Sequence, residues 1–313
     1  MLSRIADSLF WINRYIERLD GLLRMLRVNF ITALDKTGSQ DFDWKPVLEI
    51  FTPLETRTLR DIANDPNAVL QYMIADPANE NSIKSILGRI RENARGVQDH
   101  LTKETWESIN EFYHSVNALD LQAAIREDKQ LLVLGELIHR CTHIIGVVAV
   151  TMPRNQGWHF MNLGKYIERA VQTADILDIK FGNISHDLNN PADIPYWRNL
   201  LLSVAGYELY LKTYRTGVQS QNVVDLLVLN MQFPRSVLYS LSRLSDELAT
   251  FKSEIPHERL APLEKLLGRL KSRVEFSDIS SISQVGLHEF LSDIRTDTYR
   301  FSNALGPVFF AYS

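Results

Sequence analysis

The 313-residue chain holds a single cysteine, Cys141. It can close no internal disulfide and build no thiolate metal cluster, and a reducing compartment suits it. A basic balance is missing as well: the formal charge of −4 leaves no general surface for non-specific nucleic-acid binding. The longest apolar tract, Ile144 to Val150, falls well short of the ~18 residues a membrane span needs. Arg4, Asp7 and Arg14 interrupt the apolar N-terminus, unlike the uncharged core of a signal peptide. These shortages lead us to expect a cytoplasmic protein with no membrane segment and no nucleic-acid partner. No Gly-x-Ser-x-Gly, Walker loop or Gly-x-Gly-x-x-Gly is present, so the chain spells out neither a nucleophile elbow nor a nucleotide cradle. Cys141 sits in an apolar helical stretch, where a free cysteine acts as a small hydrophobe. Alternating strand patterns are lacking too, and the expected fold class is all-α.

Helical periodicity is abundant. The hydrophobic share of 45% and charged share of 23% are those of a globular chain, long enough to bury a large core. The spacing predicts a first helix over 3–35, with Ile12, Ile16, Leu19, Leu23 and Leu26 on one stripe, ended by Gly38-Ser39. Trp44 opens a short helical region punctuated by Pro46 and Pro53. Asp65-Pro66 and Asp76-Pro77 are turns that precede helices. Further helices are expected over 80–97, 102–117, 121–150, 153–179, 197–214, 222–229, 234–251, 257–274 and 283–303. Between them, Gly182 to Pro195 is polar and reads as an exposed linker or lid.

The two halves echo each other. Tyr15-Ile-Glu-Arg18 returns letter for letter as Tyr166-Ile-Glu-Arg169. Trp44-Lys45 returns as Trp197-Arg198, and the apolar pattern of Val69 to Ile74 returns at Val224 to Leu229. The segment Ser82 to Ile90 resembles Ser236 to Leu244. Offsets drift only from 151 to 155, as loop insertions would produce. The expectation is two duplicated helical halves, 1–150 and 151–313, tightly packed and related by a pseudo-two-fold axis.

On a helical wheel Glu17 lies about 140° from Ile12, well away from the apolar stripe. Arg14, Gly21, Arg24 and Phe10 share its side; Glu168 has Gly164 at i−4 and Lys165 at i−3. A glycine one turn from each glutamate lets another backbone approach. Two readings stay open: a glutamate buried under a crossing helix and paired to arginine, or a solvated face with ordinary ion pairs.

The opening Met1-Leu-Ser-Arg-Ile-Ala-Asp-Ser-Leu-Phe-Trp-Ile-Asn-Arg-Tyr-Ile-Glu-Arg18 resembles the bacterial Alpha-E domain family. So do Arg91-Glu-Asn-Ala-Arg-Gly96 with Trp106-Glu107, Met152-Pro-Arg-Asn-Gln-Gly-Trp158, Gly164-Lys-Tyr-Ile-Glu-Arg-Ala170, and Pro234-Arg-Ser-Val237. The resemblance covers essentially the whole chain. It departs at Val171, where the family usually carries an acid after the second Glu-Arg-Ala. The family is all-helical and of unknown function. The resemblance implies a setting beside circularly permuted ATP-grasp ligases and transglutaminase-like proteins, in a peptide or amide-bond-forming pathway.

Other constellations are less pointed. Arg91 and Arg95, at i,i+4, suit a carboxylate or phosphate clamp, internal partnership with Glu17 and Glu168, or a solvated rim. Arg154 and Arg235 stand beside prolines at helix starts, where an anion is favoured. Glu111-x-x-His114 and Glu136-x-x-His139, with His143, match half of a di-iron bundle, with Glu17 and Glu168 as possible further ligands. The two segments fall on adjacent helices, unlike that layout, and no metal or cofactor is expected. The favoured reading is an accessory or binding component acting with the ligase, with a peptide as one possible ligand. Glu17, Arg18, Glu168 and Arg169 would organise its cleft, and Arg91, Arg95, Arg154 and Arg235 would supply positive charge. The alternatives are a hydrolase or transferase using Glu17 and Glu168 as acid and base, or a helical-bundle metal protein.

Overall fold

The computed structural model describes residues 1–35, 44–52, 61–189, 194–215, 217 and 219–310. Every regular element among the described residues is helical. The chain divides into two compact units, Tyr15–Pro153 and Met1–Arg14 with Arg154–Ser313.

The first helix, α1 (Ser3–Asp35), ends in the unit Tyr15–Pro153. Then come α2 (Lys45–Phe51), α3 (Pro66–Ile74), α4 (Ile83–Gly96), a 3-10 turn (Gln98–His100), α5 (Lys103–Asn117), α6 (Leu121–Arg126) and α7 (Gln130–Thr151). Local chemistry sets these starts. Pro66 occupies the first turn of α3 while the Asp65 side chain accepts from Asn67 N. Ser82 and Thr102 cap α4 and α5, accepting from Ser85 N and Thr105 N. Helix α5 packs between α4 and α7. The buried stripe of α7, Leu134, Leu137, Cys141, Ile144 and Val148, follows alternating steps of three and four residues.

By length and composition, α7 is the one helix among the described residues long and apolar enough to cross a membrane. No single tract of its sequence reaches that length, because Glu136, His139, Arg140 and His143 interrupt it. They sit off the buried stripe, as solvent-facing polar groups on a helix with one side in the core.

In the other unit the centre is α8 (Gln156–Gly182), capped by Asn155. There follow α9 (Ile194–Ser203), α10 (Tyr207–Thr213), α11 (Ser220–Val224) running into a π-type turn (Asp225–Leu229), α12 (Val237–Ala249), a 3-10 turn (Thr250–Ser253), α13 (His257–Glu275), α14 (Ile279–Val285) and α15 (Leu287–Leu305). Helices α8, α12, α13 and α15 form a closed ring of neighbours, α8 against α12, α12 against α13, α13 against α15 and α15 against α8. An aromatic cluster of Phe10, Phe160, Phe251, Phe309 and Phe310 fills one end.

Three expected helices are each split in two. The stretch 121–150 breaks at Asp128, φ 53°, where Lys129 N bonds back to Ala124 O. The stretch 197–214 breaks at Ala205, φ 55°, with Gly206 N on Leu201 O. Gly286, φ 97°, separates α14 from α15 within 283–303. Each break is a left-handed residue that ends one helix and re-aims the next. Gly38-Ser39, Pro53 and residues 190–193 of the expected linker lie outside the described residues.

Candidate functional site

Helices α1 and α8 carry the two Tyr-Ile-Glu-Arg motifs, and both are buried on most sides. Glu17, Asp20, Asn13 and Asn29 of α1 lie in the core, as do Asn162, Glu168, Arg169, Gln172 and Thr173 of α8. The solvated-face reading of the motif is thereby excluded. Glu17 is 2% exposed and Glu168 4%.

Glu168 is sealed by Arg14, whose Nε donates to its carboxylate at 2.8 Å, with both side chains below 10% exposed. The same guanidinium donates to Ser302 Oγ at 3.1 Å and lies 4.8 Å from the Trp11 ring. Gly164 makes this possible. A Cβ there would stand 2.1 Å from the Phe10 carbonyl oxygen, so the backbone of residues 3–14 crosses α8 directly over the glycine. In the other motif Asp20, fully buried, takes Arg24 at 3.0 Å, and Glu17 adds to the negative field on that arginine. The residue in register with Asp20 is Val171, also buried, so the second motif needs no partner at that point.

The remaining motif residues do the same job twice. Arg18 donates to Asn81 Oδ1, the residue before the Ser82 cap of α4. Arg169 donates to Pro234 O, two residues before the Ser236 cap of α12. The Arg89 guanidinium of α4 lies 5.9 Å from the Tyr15 ring centroid, and Arg243 of α12 interacts with Tyr166. Burial pushes the Tyr166 hydroxyl above its ordinary value, opposed by the Arg243 and Arg169 charges. Even the loops agree. Asp76 and Asn230 each accept from the backbone two residues on, and their own N–H groups reach back five residues, to Gln71 and Asp225. Ser82 N and Ser236 N bond to Asn79 O and Phe233 O. Trp44 and Trp197 are both fully buried, each against a phenylalanine of its unit's long helix, Phe30 and Phe181.

The outlying arginines disperse. Arg91 donates to Asn110 Oδ1 at 2.8 Å and lies over the Tyr113 ring, so it is a partner of α5 and not of a motif glutamate. Arg95 is exposed. Arg154 stacks on Trp158, its guanidinium 3.6 Å from the ring centroid. Arg235 lies in the loop that Arg169 grips, and its carbonyl accepts from Thr173. Glu111, His114, Glu136, His139 and His143 are exposed, and Glu136 pairs with Arg140, so the di-iron pattern gathers no set of ligands among the described residues. Cys141 is buried against Ile16 O.

Sequence reasoning overlooked Arg14 as the partner of Glu168, having placed it only on the wheel beside Glu17. It also overlooked a cleft of about 310 Å³ next to Arg14, lined by Phe10, Trp11, Tyr299, Ser302 and Phe310.

The description of one known family agrees with the all-helical fold. The Alpha-E family, described as a predicted alpha-helical domain with a conserved ER motif, matches residues 1–310, and the chain belongs to it. An uncharacterized protein of Mycobacterium bovis is 23% identical over 93% of this chain and 34% of its own length. Uncharacterized proteins of two Mycobacterium tuberculosis strains are 23% and 22% identical over the same shares. The chain thus spans about a third of the length of the curated relatives it matches. No solved structure matches.

Proposed function

We propose that this Alpha-E chain is an accessory, binding component of an amide-bond-forming pathway, acting in the cytoplasm with a circularly permuted ATP-grasp ligase and a transglutaminase-like protein. Its two halves descend from one duplicated unit. The observation that carries the reading is the sealing of Glu168 by Arg14. An acid–base pair needs carboxylates that face an open cleft. Here the glutamate is spent on a buried ion pair, and the tyrosine and arginine of each motif hold a capped helix. The motif builds a scaffold rather than a reaction centre.

Duplication is supported by element order. Each unit runs long helix, short helices, serine-capped helix, 3-10 turn, helix, short helix, then a helix begun after a left-handed residue. Partnership is supported by the greater length of the relatives, in which a domain of this size is one part of a larger chain. The aromatic cleft beside Arg14 is the seat we assign to a peptide side chain or to a segment of the ligase.

The test is co-purification of the tagged chain with the ligase and measurement of ligation with and without it. The reading expects a complex and an altered rate, with Trp11→Ala weakening both while the chain stays folded. Failure to associate, together with an unchanged ligation rate, would refute it.

A further inference from the structure

We propose that Asp178, His186 and His288 form a binding site for a divalent transition-metal ion of the zinc class. Asp178 Oδ1 lies 2.9 Å from His186 Nε2 and 2.7 Å from His288 Nδ1. All three donor atoms fall within 4.8 Å of one another. Two imidazoles and one carboxylate are the ligand set of a three-protein-ligand zinc site, which keeps a fourth position for water or a ligand. With metal–ligand bonds of about 2.0–2.1 Å, tetrahedral donors stand roughly 3.3 Å apart. Both oxygen–nitrogen distances, 2.9 and 2.7 Å, lie close to that spacing, and the third pair of donors lies within 4.8 Å.

The surroundings hold the donors in place. Asp178 belongs to α8 and is buried. Its second oxygen is held by Arg295 at 2.8 Å, which leaves Oδ1 turned toward the imidazoles. Arg295 also pairs with Asp175 at 3.2 Å, so the two carboxylates outweigh its charge and the net field favours a cation. His186 reaches Asp178 through unusual backbone. Ser185 and His186 take φ 55° and 56°, two consecutive left-handed residues that are not glycine. Such backbone is costly and gathers at ligand sites. It folds the chain back over the end of α8, with His186 N on Phe181 O, and returns the imidazole to Asp178. His288 comes from the first turn of α15 and is the most exposed of the three, which gives an ion access from solvent. The rings lie 5.1 Å apart, centroid to centroid.

This site is independent of the accessory role proposed above and of the Glu-x-x-His segments. The experiment uses the full chain after chelation and dialysis, titrated with zinc chloride in a calorimeter and with cobalt(II) as an absorbing substitute. One ion per chain, a tetrahedral cobalt spectrum and a rise in Tm with zinc are expected. His288→Ala, at an exposed position, should keep the fold and weaken binding at least tenfold. His186→Ala should do the same, and His143→Ala, an exposed histidine elsewhere, should change nothing. Absence of stoichiometric binding would overturn the site. So would binding that survives the His186→Ala/His288→Ala double variant, since the ion would then sit on other surface histidines.

Discussion

The Arg14–Glu168 pair shows why a buried charge is informative at the level of single residues. Removing one partner of such a pair costs about 3–5 kcal/mol, because the other charge stays buried without compensation. Glu168→Ala should therefore lower the unfolding free energy by that amount in urea titrations, while Arg14→Met combined with Glu168→Leu should lose much less. An equal loss in the double variant would mean that packing, and not charge, is what the site requires. Gly164 makes a sharper case. A methyl group there strikes the Phe10 carbonyl, which cannot rotate away as a flexible side chain would. Gly164→Ala should cost about 3 kcal/mol, the upper part of the overpacking range. Gly88, on α4, has nothing within 4 Å of the same position, so Gly88→Ala should instead stabilise by about 0.5–1 kcal/mol. Thermal unfolding of the two variants should shift in opposite directions.

Among elements, the capped helices are where the two units are most alike. Ser82 and Ser236 are buried N-caps, and a motif arginine braces the residues just before each. Ser82→Ala or Ser236→Ala should each cost about 1 kcal/mol by loss of the cap. Arg169→Ala should cost at least as much, and hydrogen exchange should report it first in the opening turn of α12. Much of this was legible in the sequence. The expected helix over 102–117 coincides with α5, Asp65-Pro66 marks the start of α3, and the two serine segments resemble each other where both caps fall. The splits at Asp128 and Ala205 are not legible, because both residues are left-handed without being glycine and carry no reliable mark; the third falls at a glycine, Gly286. On α1 and α8 a helical wheel leaves the buried and the solvated reading open for a related reason. A wheel separates core from solvent only where a helix has one buried side, and these two are enclosed on most sides, so their polar residues face partners and not water. Asp178, His186 and His288 gave no spacing signal either, since a loop closure and a distant helix bring them together.

At the scale of the whole molecule, the division into units does not follow a single cut. Residues Met1–Arg14 belong with Arg154–Ser313, and they bring Phe10 to Gly164 and Arg14 to Glu168. A fragment of residues 151–313 would keep α8, α12, α13 and α15 but lose the cation that neutralises Glu168 and the aromatic ring that meets Phe310. It should unfold with low cooperativity and bind hydrophobic dyes, as a domain with an open core and an unpaired buried charge does. A fragment in which Met1–Arg14 is rejoined to the C-terminal end through a long Gly/Ser linker restores both groups without the other unit. It should regain a sharp thermal transition, and the same graft carrying Arg14→Ala should not. If the bare fragment unfolds as sharply as the graft, the first fourteen residues are an appendage, and the motif glutamate must be satisfied by its own unit.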